Sequence, residues 1–251
     1  MKFVFDLDGT ICFKGQPVSE EILTALERLT DKGHEVIFAS ARPIRDMLPV
    51  IHKRLHHYPM IGGNGSLITK NKKNMHSTAF STQEIREIKH LIKKYNATYL
   101  IDSEWDYAYT GVHDHPILKN VDQGKLARLV DIDDLSTIVK ILILSASDMD
   151  QLEEELTKLD VFVNKHGNEN VLDISPKGIH KWKALQMLGI QKGDYIAFGN
   201  DANDLTMFEH AYHTVMIGYH GELSQYAKEK IDLEGDYEQK IVEKLKKLAS
   251  E

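Results

Sequence analysis

Two aspartates separated by one residue follow a short apolar run at the start of the chain. The run Lys2–Phe5 has the length and composition of a buried parallel strand, and the string D-L-D-G-T follows it directly. Buried carboxylates need a cation, hydrogen-bond donors or exposure at the strand end. Ligands of open α/β sheets bind beyond the carboxyl ends of the strands, so we predict that Asp6 and Asp8 form the floor of an active site. The alternative is a solvated turn in which Asp-Gly reverses the chain.

A second group of oxygen-bearing side chains follows a later apolar run. Tyr195–Phe198 has the composition of a buried strand and continues into the string G-N-D-A-N-D. Two carboxylates and two carboxamides at a strand end repeat the pattern of the opening. Such oxygen ligands suit Mg²⁺, so the segment is a candidate metal site.

Small polar residues follow a third apolar run, Val36–Ala39, beginning with the string S-A-R-P. Ser40 is a candidate phosphate ligand, because helix N-termini bind anions and Pro43 suits the first turn of a helix, expected to run to about His56. A helix-capping role for Ser40 is compatible with this one. The glycine-rich string that starts at Gly62 lacks the Gly-Lys-Ser/Thr ending of a P-loop and is typical of a tight turn.

Strands and helices alternate around these groups, which implies parallel strands with their ends at one edge of a sheet. The sequence predicts a small hairpin over residues 11–18 and a helix from Gly178 to Leu188. Between about residues 79 and 178, strands and helices mix without strands that end in carboxylates. We therefore expect an α/β core, residues 1–78 and 179–251, with an inserted α+β domain between its two parts.

Composition narrows the class of protein. Of 251 residues, 42% are hydrophobic, enough for a sizeable core, and the net charge of -7 disfavours general nucleic-acid binding. A single cysteine excludes an intrachain disulfide and fits a reducing compartment. No run has the length of a membrane span, and a strand is predicted where a signal peptide would lie. We expect a cytoplasmic protein, with no membrane or nucleic-acid partner, that is a monomer or a weak dimer.

The motifs D-L-D-G-T, S-A-R-P, G-G-N-G-S, K-W-K-A-L and G-N-D-A-N-D occur in an order that resembles the haloacid dehalogenase superfamily, more narrowly its Cof-type phosphatases. The resemblance covers nearly the whole chain. It implies a Rossmann-like parallel-sheet core with an inserted α+β cap that governs substrate specificity.

The resemblance also implies roles for individual residues. Asp6 is expected to attack phosphorus and form an aspartyl-phosphate, and Asp8 to protonate the leaving oxygen and then activate water. Of three candidate lysines, at positions 177, 181 and 183, Lys181 fits the motif best. The remaining expected contacts with the phosphoryl group or the rest of the substrate are Leu7, Gly9, Thr10, Ser40, Ala41, Arg42, Asn64, Gly65 and Asn203.

The metal motif departs from the common family pattern, G-D-x-x-N-D, because Asn200 replaces its first aspartate. An amide oxygen can bind Mg²⁺ but brings no charge. The expected metal ligands are Asp6, Asp8 (through its backbone carbonyl), Asn200 and Asp201, with either of the last two in direct contact. Asp204 is expected to orient them.

The resemblance predicts a Mg²⁺-dependent phosphomonoesterase of small phosphorylated metabolites, with sugar phosphates first and nucleotide or cofactor phosphates second. Two alternatives remain open. A phosphotransferase or phosphomutase would use the same intermediate, and a non-catalytic protein would bind a phosphorylated ligand or serve in signalling.

Overall fold

The first strand is the centre of a large sheet. The structure is a computed structural model that describes residues 1–166 and 170–250. β1 (Lys2–Phe5) pairs in parallel with β2 (Glu35–Ala39) on one side and with β11 (Tyr195–Gly199) on the other. Apolar side chains of β1 pack on both faces of the sheet, which explains why its sequence is continuously apolar.

Eight strands form this sheet. Beyond β11 lie β12 (His213–Ile217) and β13 (Glu229–Ile231), both parallel to their neighbours. Beyond β2 lies the parallel strand β3 (Met60–Gly62), and the antiparallel strands β4 (Leu67–Lys70) and β5 (Lys73–Ser77) complete the edge.

Helices cover both faces of the sheet. On one face, α1 (Glu20–Asp31) and α7 (Tyr237–Leu248) pack against Phe3, Phe5 and their neighbours. On the other face, α5 (Lys181–Met187) and α6 (Leu205–His210) pack around Val4. The short helix α2 (Ile44–Met47) follows β2. This arrangement is the predicted α/β core.

A second, antiparallel sheet lies within residues 79–178, which we call the cap. Its strand order is β7-β6-β8-β10-β9, and its elements are α3 (Thr82–Lys94), β6 (Thr98–Asp102), β7 (Tyr107–Tyr109), β8 (Lys140–Ser145), α4 (Met149–Leu156), β9 (Val161–His166) and β10 (Val171–Pro176). Both helices pack on one face of the sheet, against alternate apolar residues of β6, β8 and β10. The opposite face carries three buried charged side chains, those of Asp102, Lys140 and Asp173.

Three local predictions are wrong. The helix expected to run from Pro43 to about His56 ends at Met47, because Pro49 has no N–H to donate and its ring obstructs a further turn. Residues 11–18 form turns with one isolated bridge between Asp8 and Cys12, not a hairpin. The helix expected from Gly178 begins at Lys181, because Gly178 adopts a φ of +72° in a turn.

The hairpin of β4 and β5 is absent from the sequence predictions. Its two-residue turn, Asn71 and Lys72, has positive φ at both positions, 52° and 62°, as a type I′ turn requires. Asn is a favoured residue in this turn, but no glycine follows it, so the usual Asn-Gly signal is missing.

No helix among residues 1–166 and 170–250 has the length and apolar character needed to cross a membrane.

Gly65 allows the turn after β3 to touch the start of α5. It has a φ of +118°, and a Cβ there would lie 2.7 Å from the His180 carbonyl oxygen. We expect Gly65→Ala to lower the free energy of unfolding by about 1–3 kcal/mol more than Gly33→Ala does. Gly33 is the matched control, because its φ is +84° but no heavy atom lies within 4 Å of its Cβ position. Urea unfolding of both variants measures the difference, and equal losses would show that the close approach is unimportant.

Candidate active site

The ends of three neighbouring strands bring the predicted residues together. Asp6 follows β1, Ser40 follows β2, and the Asn200–Asp204 segment follows β11. Because β1 lies between the other two strands and all three are parallel, their polar ends share one edge of the sheet.

Lys181 binds the central aspartate. Its Nζ lies 2.7 Å from Asp6 Oδ1 and 2.7 Å from Asp204 Oδ1. The side chain is fully buried at the first position of α5, where His180 accepts a hydrogen bond from the backbone N–H of Lys183 and caps the helix. Burial acts to lower the pKa of Lys181, but the Asp204 and Asp6 carboxylates outweigh it and raise that pKa. Lys181 is therefore a permanent cation, whereas the structure brings neither of the other two candidate lysines to Asp6.

Burial makes ionisation of the Asp6 carboxyl unfavourable. Burial raises its pKa from 3.8 to about 7; Lys181 acts in the opposite direction, and the Asp204 charge adds to the rise. A nucleophilic carboxylate must be ionised, so the site needs further positive charge to hold Asp6 in the reactive form.

Thr10 marks the point where that charge could lie. Its Oγ1 is 3.0 Å from Asp6 Oδ2 and 3.1 Å from Asn200 Oδ1. A hydroxyl has one proton and can donate it to only one of these oxygens at a time. Two oxygen acceptors thus converge on a hydroxyl that can donate a hydrogen bond to only one of them. Such a pair of oxygen ligands fits a small, hard cation such as Mg²⁺. Within residues 1–166 and 170–250, no three His, Cys, Asp or Glu side chains form a metal cluster.

Asp201 is engaged with other partners. Its Oδ1 accepts a hydrogen bond from the backbone N–H of Ala202 at 2.7 Å and lies 3.4 Å from His220 Nε2. The Asn200 side chain instead lies against Gly9, where a Cβ would be 2.3 Å from Asn200 Nδ2. The geometry therefore favours Asn200 over Asp201 as the residue beside Asp6.

Asp204 holds the loop that carries Asn200. Its Oδ2 accepts hydrogen bonds from the backbone N–H groups of Asn200 at 2.8 Å and Asp201 at 3.2 Å, while Oδ1 accepts from Lys181. The Asp204 side chain is fully buried, so one carboxylate fixes both the lysine and the candidate metal loop.

Ser40 is buried beside this group. Its Oγ accepts a hydrogen bond from the backbone N–H of Arg42 at 3.1 Å, and a hydroxyl that accepts such a bond keeps its own proton to donate. The buried Leu7 and the partly exposed Ala41 follow Asp6 and Ser40 in the chain, where their backbone N–H groups were predicted to contact phosphate.

Arg42 binds Asp8. Its Nε and Nη2 lie 2.7 and 2.6 Å from the two Asp8 oxygens, and Nη1 donates to the backbone carbonyl of Asp46 at 3.3 Å. Arg42 is 8% exposed and Asp8 is 49% exposed. The guanidinium that was predicted to touch substrate is thus engaged with the predicted acid/base carboxyl, which remains open to solvent.

Two charged residues of the cap reach the same region, and the sequence predictions missed both. Lys140 Nζ donates to the Ala41 carbonyl at 2.8 Å and lies 3.1 Å from Asp173 Oδ2. Asp173 Oδ2 in turn accepts from Asn64 Nδ2 at 3.1 Å, and Asn64 Oδ1 accepts from Asn203 Nδ2 at 3.4 Å. A single charge inside each apolar strand, V-K-I-L-I and V-L-D-I-S, is the signal that could have found them.

The chain is similar to known proteins along most of its length. The sequence model of the haloacid dehalogenase-like hydrolases matches residues 3–234. The chain is 24% identical over 231 residues to the 5-amino-6-(5-phospho-D-ribitylamino)uracil phosphatase YitU of Bacillus subtilis, covering 85% of this chain and 84% of that one. It is 27% identical over 228 residues to the HMP-PP phosphatase of Cronobacter sakazakii, covering 85% and 82%. The structure of the subclass IIB sugar phosphatase BT4131 matches with a TM-score of 0.77 and 18% identity over 98% of both chains. The predicted fold class is confirmed.

The buried charge of Asp6 should make metal-free stability depend on pH. The pKa of Asp6 is about 7 in the folded protein and 3.8 ordinarily, so its proton stabilises the fold at low pH and this contribution is lost as pH rises toward 7. In Asp6→Asn, Lys181 still pairs with Asp204 and no excess negative charge is buried. We expect the melting temperature of Asp6→Asn in EDTA to exceed that of the unmodified protein by roughly 2–8 °C above about pH 7.5, with little difference near pH 4.

Thermal unfolding monitored by circular dichroism between those pH values measures this difference. A difference that does not change with pH would contradict the assignment of the raised pKa to Asp6.

Proposed function

Because the chain belongs to the haloacid dehalogenase-like hydrolases and is a phosphatase, we propose that it hydrolyses phosphate monoesters of small metabolites, with Mg²⁺ as its metal ion and Asp6 as its nucleophile. The observation that carries the proposal is the buried Asp6 carboxylate, which Lys181 holds by one oxygen and Thr10 by the other at the end of the central strand. A carboxylate fixed in this way can attack phosphorus without first being ordered.

The reaction proceeds in two displacements. An Asp6 oxygen attacks phosphorus, the bond to the leaving oxygen breaks, and Asp8 gives that oxygen a proton. Water then attacks phosphorus and gives its proton to Asp8, and inorganic phosphate departs with regeneration of the Asp6 carboxylate. The half-exposed Asp8 can reach both the leaving oxygen and water, whereas the buried Asp6 is shielded from solvent.

Charge on the phosphoryl oxygens is balanced by groups that are already in place. Lys181 contributes a permanent positive charge from a buried position, and the Ser40 hydroxyl can donate a hydrogen bond. Such preorganised groups supply most of the catalysis in phosphoryl transfer.

The site residues fit a magnesium ion. Asp6 Oδ2 and Asn200 Oδ1 converge on Thr10 and would hold it, and phosphatases of this superfamily are generally metal-dependent. The ion, when bound, supplies positive charge to Asp6 and to the phosphoryl oxygens. Its charge also offsets the burial that raises the pKa of Asp6.

Sugar phosphates are the first substrate class that we propose. The groups where the cap meets the core are hydrogen-bonding side chains, Lys140, Asp173, Asn64 and Asn203. Lys140 and Asp173 are buried and offset each other's charge, so this pair has no net charge to attract a second anion, and a neutral polyhydroxylated leaving group suits the site better. Two of the matched proteins, by name a ribitylamino-uracil phosphatase and a sugar phosphatase, favour the same class, whereas the third is named for a different substrate, HMP-PP.

Phosphate release from p-nitrophenyl phosphate, ribose 5-phosphate, glucose 6-phosphate and glycerol 3-phosphate tests the proposal. With Mg²⁺, the unmodified protein should turn over repeatedly, and Asp6→Asn should lose at least about 10³-fold in kcat because no covalent intermediate can form. Lys177→Met, a surface variant, is the matched control and should keep full activity. Transfer of phosphate to added glycerol instead of water would indicate a phosphotransferase, and binding without turnover a non-catalytic protein.

Asn200 and Asp201 offer a paired test of the metal site. Asn200→Asp adds a negative charge beside Asp6, so we expect about tenfold tighter Mg²⁺ binding, since carboxylate ligands raise affinity for hard cations. Asp201→Asn removes a charge from the neighbouring residue. Because that charge is not expected to contact the ion directly, the affinity for Mg²⁺ should change by less than about threefold. Isothermal titration with Mg²⁺ measures both values. A larger loss in Asp201→Asn than the gain in Asn200→Asp would assign the ligand to Asp201.

A further inference from the structure

A buried arginine joins the core to the cap. Arg45 of α2 has no exposed surface, and its Nε and Nη2 donate to the two oxygens of Asp46 at 2.9 and 2.8 Å. Nη2 also donates to Asp102 Oδ1 at 2.8 Å, and Nη1 donates to the Trp105 carbonyl at 2.7 Å. The Tyr107 ring lies 4.8 Å from its Cζ. Apart from Asp46, these partners all belong to the cap.

Asp46 connects this arginine with the acid/base carboxyl. Its carboxylate binds Arg45 and accepts a hydrogen bond from the backbone N–H of Asp122 in the cap at 2.7 Å. Its backbone carbonyl accepts from Arg42 Nη1, and Arg42 holds both oxygens of Asp8. A short, continuous series of contacts therefore runs from the cap through α2 to Asp8.

These contacts help to position α2, whose Ile44 and Met47 also pack in the hydrophobic core. The helix has four residues, too few to be stable on its own. A guanidinium stays protonated in proteins, and a buried charge that loses its partners is strongly unfavourable. Docking of Asp102 and the Trp105 carbonyl on Arg45 consequently fixes where α2, and with it Arg42, can lie.

We propose that Arg45 is a positioning residue for Asp8, because it ties the cap to the segment that orients the acid/base carboxyl. This inference rests on the proposed function, in which the bond from phosphorus to the leaving oxygen breaks, its electrons pass to that oxygen, and Asp8 donates the proton that neutralises it. Displacement of a catalytic group by about 1 Å can cost about 10²-fold in rate.

Leaving groups differ in how much they need that proton. p-Nitrophenolate is a weak base and departs without one, whereas the alkoxide of a sugar phosphate is a strong base and requires an acid. A displaced Asp8 should therefore slow the first displacement selectively for sugar phosphates, whereas the later attack of water is common to both substrates. A cap that is only loosened should affect binding of both substrates and leave their ratio unchanged.

Arg45→Met tests the inference, with Asp102→Asn as a second variant that removes one anionic partner and preserves shape. For the sugar phosphate of the panel that the unmodified protein hydrolyses fastest, kcat/KM should fall by about 10- to 100-fold. For p-nitrophenyl phosphate, kcat/KM should stay within about threefold, because it covers only the steps through departure of the leaving group, and p-nitrophenolate departs without the acid. Arg54→Met is the matched control: Arg54 binds Glu20 and Glu27 on the surface of the core, and its loss should change neither rate.

Melting temperatures and far-ultraviolet circular dichroism establish whether each variant is folded. If Arg45→Met does not fold, the rates of Asp102→Asn test the positioning role. Equal losses of kcat/KM on both substrates would overturn the positioning role while leaving the proposed function intact. If the unmodified protein releases phosphate from no substrate, the proposed function fails, and the positioning role fails with it.

Discussion

Burial of the Asp6 carboxylate at the end of the central strand is the constraint on which the site depends. A buried carboxylate in that position is strongly unfavourable without a cation beside it. Lys181, the first residue of α5, supplies that cation. Lys181 in turn needs a second anion, Asp204, which also fixes the backbone at Asn200. The two parts of the core, separated by about a hundred residues of cap, are thus joined through one buried charge cluster.

The sequence allowed the strand ends and their polar residues to be predicted because these features are local. An apolar run followed by D-L-D-G-T or G-N-D-A-N-D predicts both a buried strand and the residue at which that strand ends. The choice of Lys181 depended on resemblance to a family, since a lysine at a helix start has no distinctive pattern of its own. The C-terminal end of the short helix α2 was predicted wrongly, because apolar residues continue past Pro49 in the sequence.

Contacts between distant segments could not be predicted. Arg42 was expected to contact substrate, and no local pattern indicated that its guanidinium also binds Asp8. Lys140 and Asp173 lie more than thirty residues apart in the sequence, on two neighbouring strands whose shared face meets the core. Their pairing follows from the register of an antiparallel sheet, which is set by the packing of the whole cap.

The pairing of β1 has a consequence for the order in which the chain can fold. Lys2 lies beside Tyr195, so one neighbour of the central strand is missing until most of the chain has been synthesised. The cap, by contrast, draws its whole sheet from one continuous stretch and can form its hydrophobic core before the second part of the main sheet emerges from the ribosome. Closing the central sheet joins segments more than 190 residues apart, so it carries a larger loop-closure cost than any pairing within the cap.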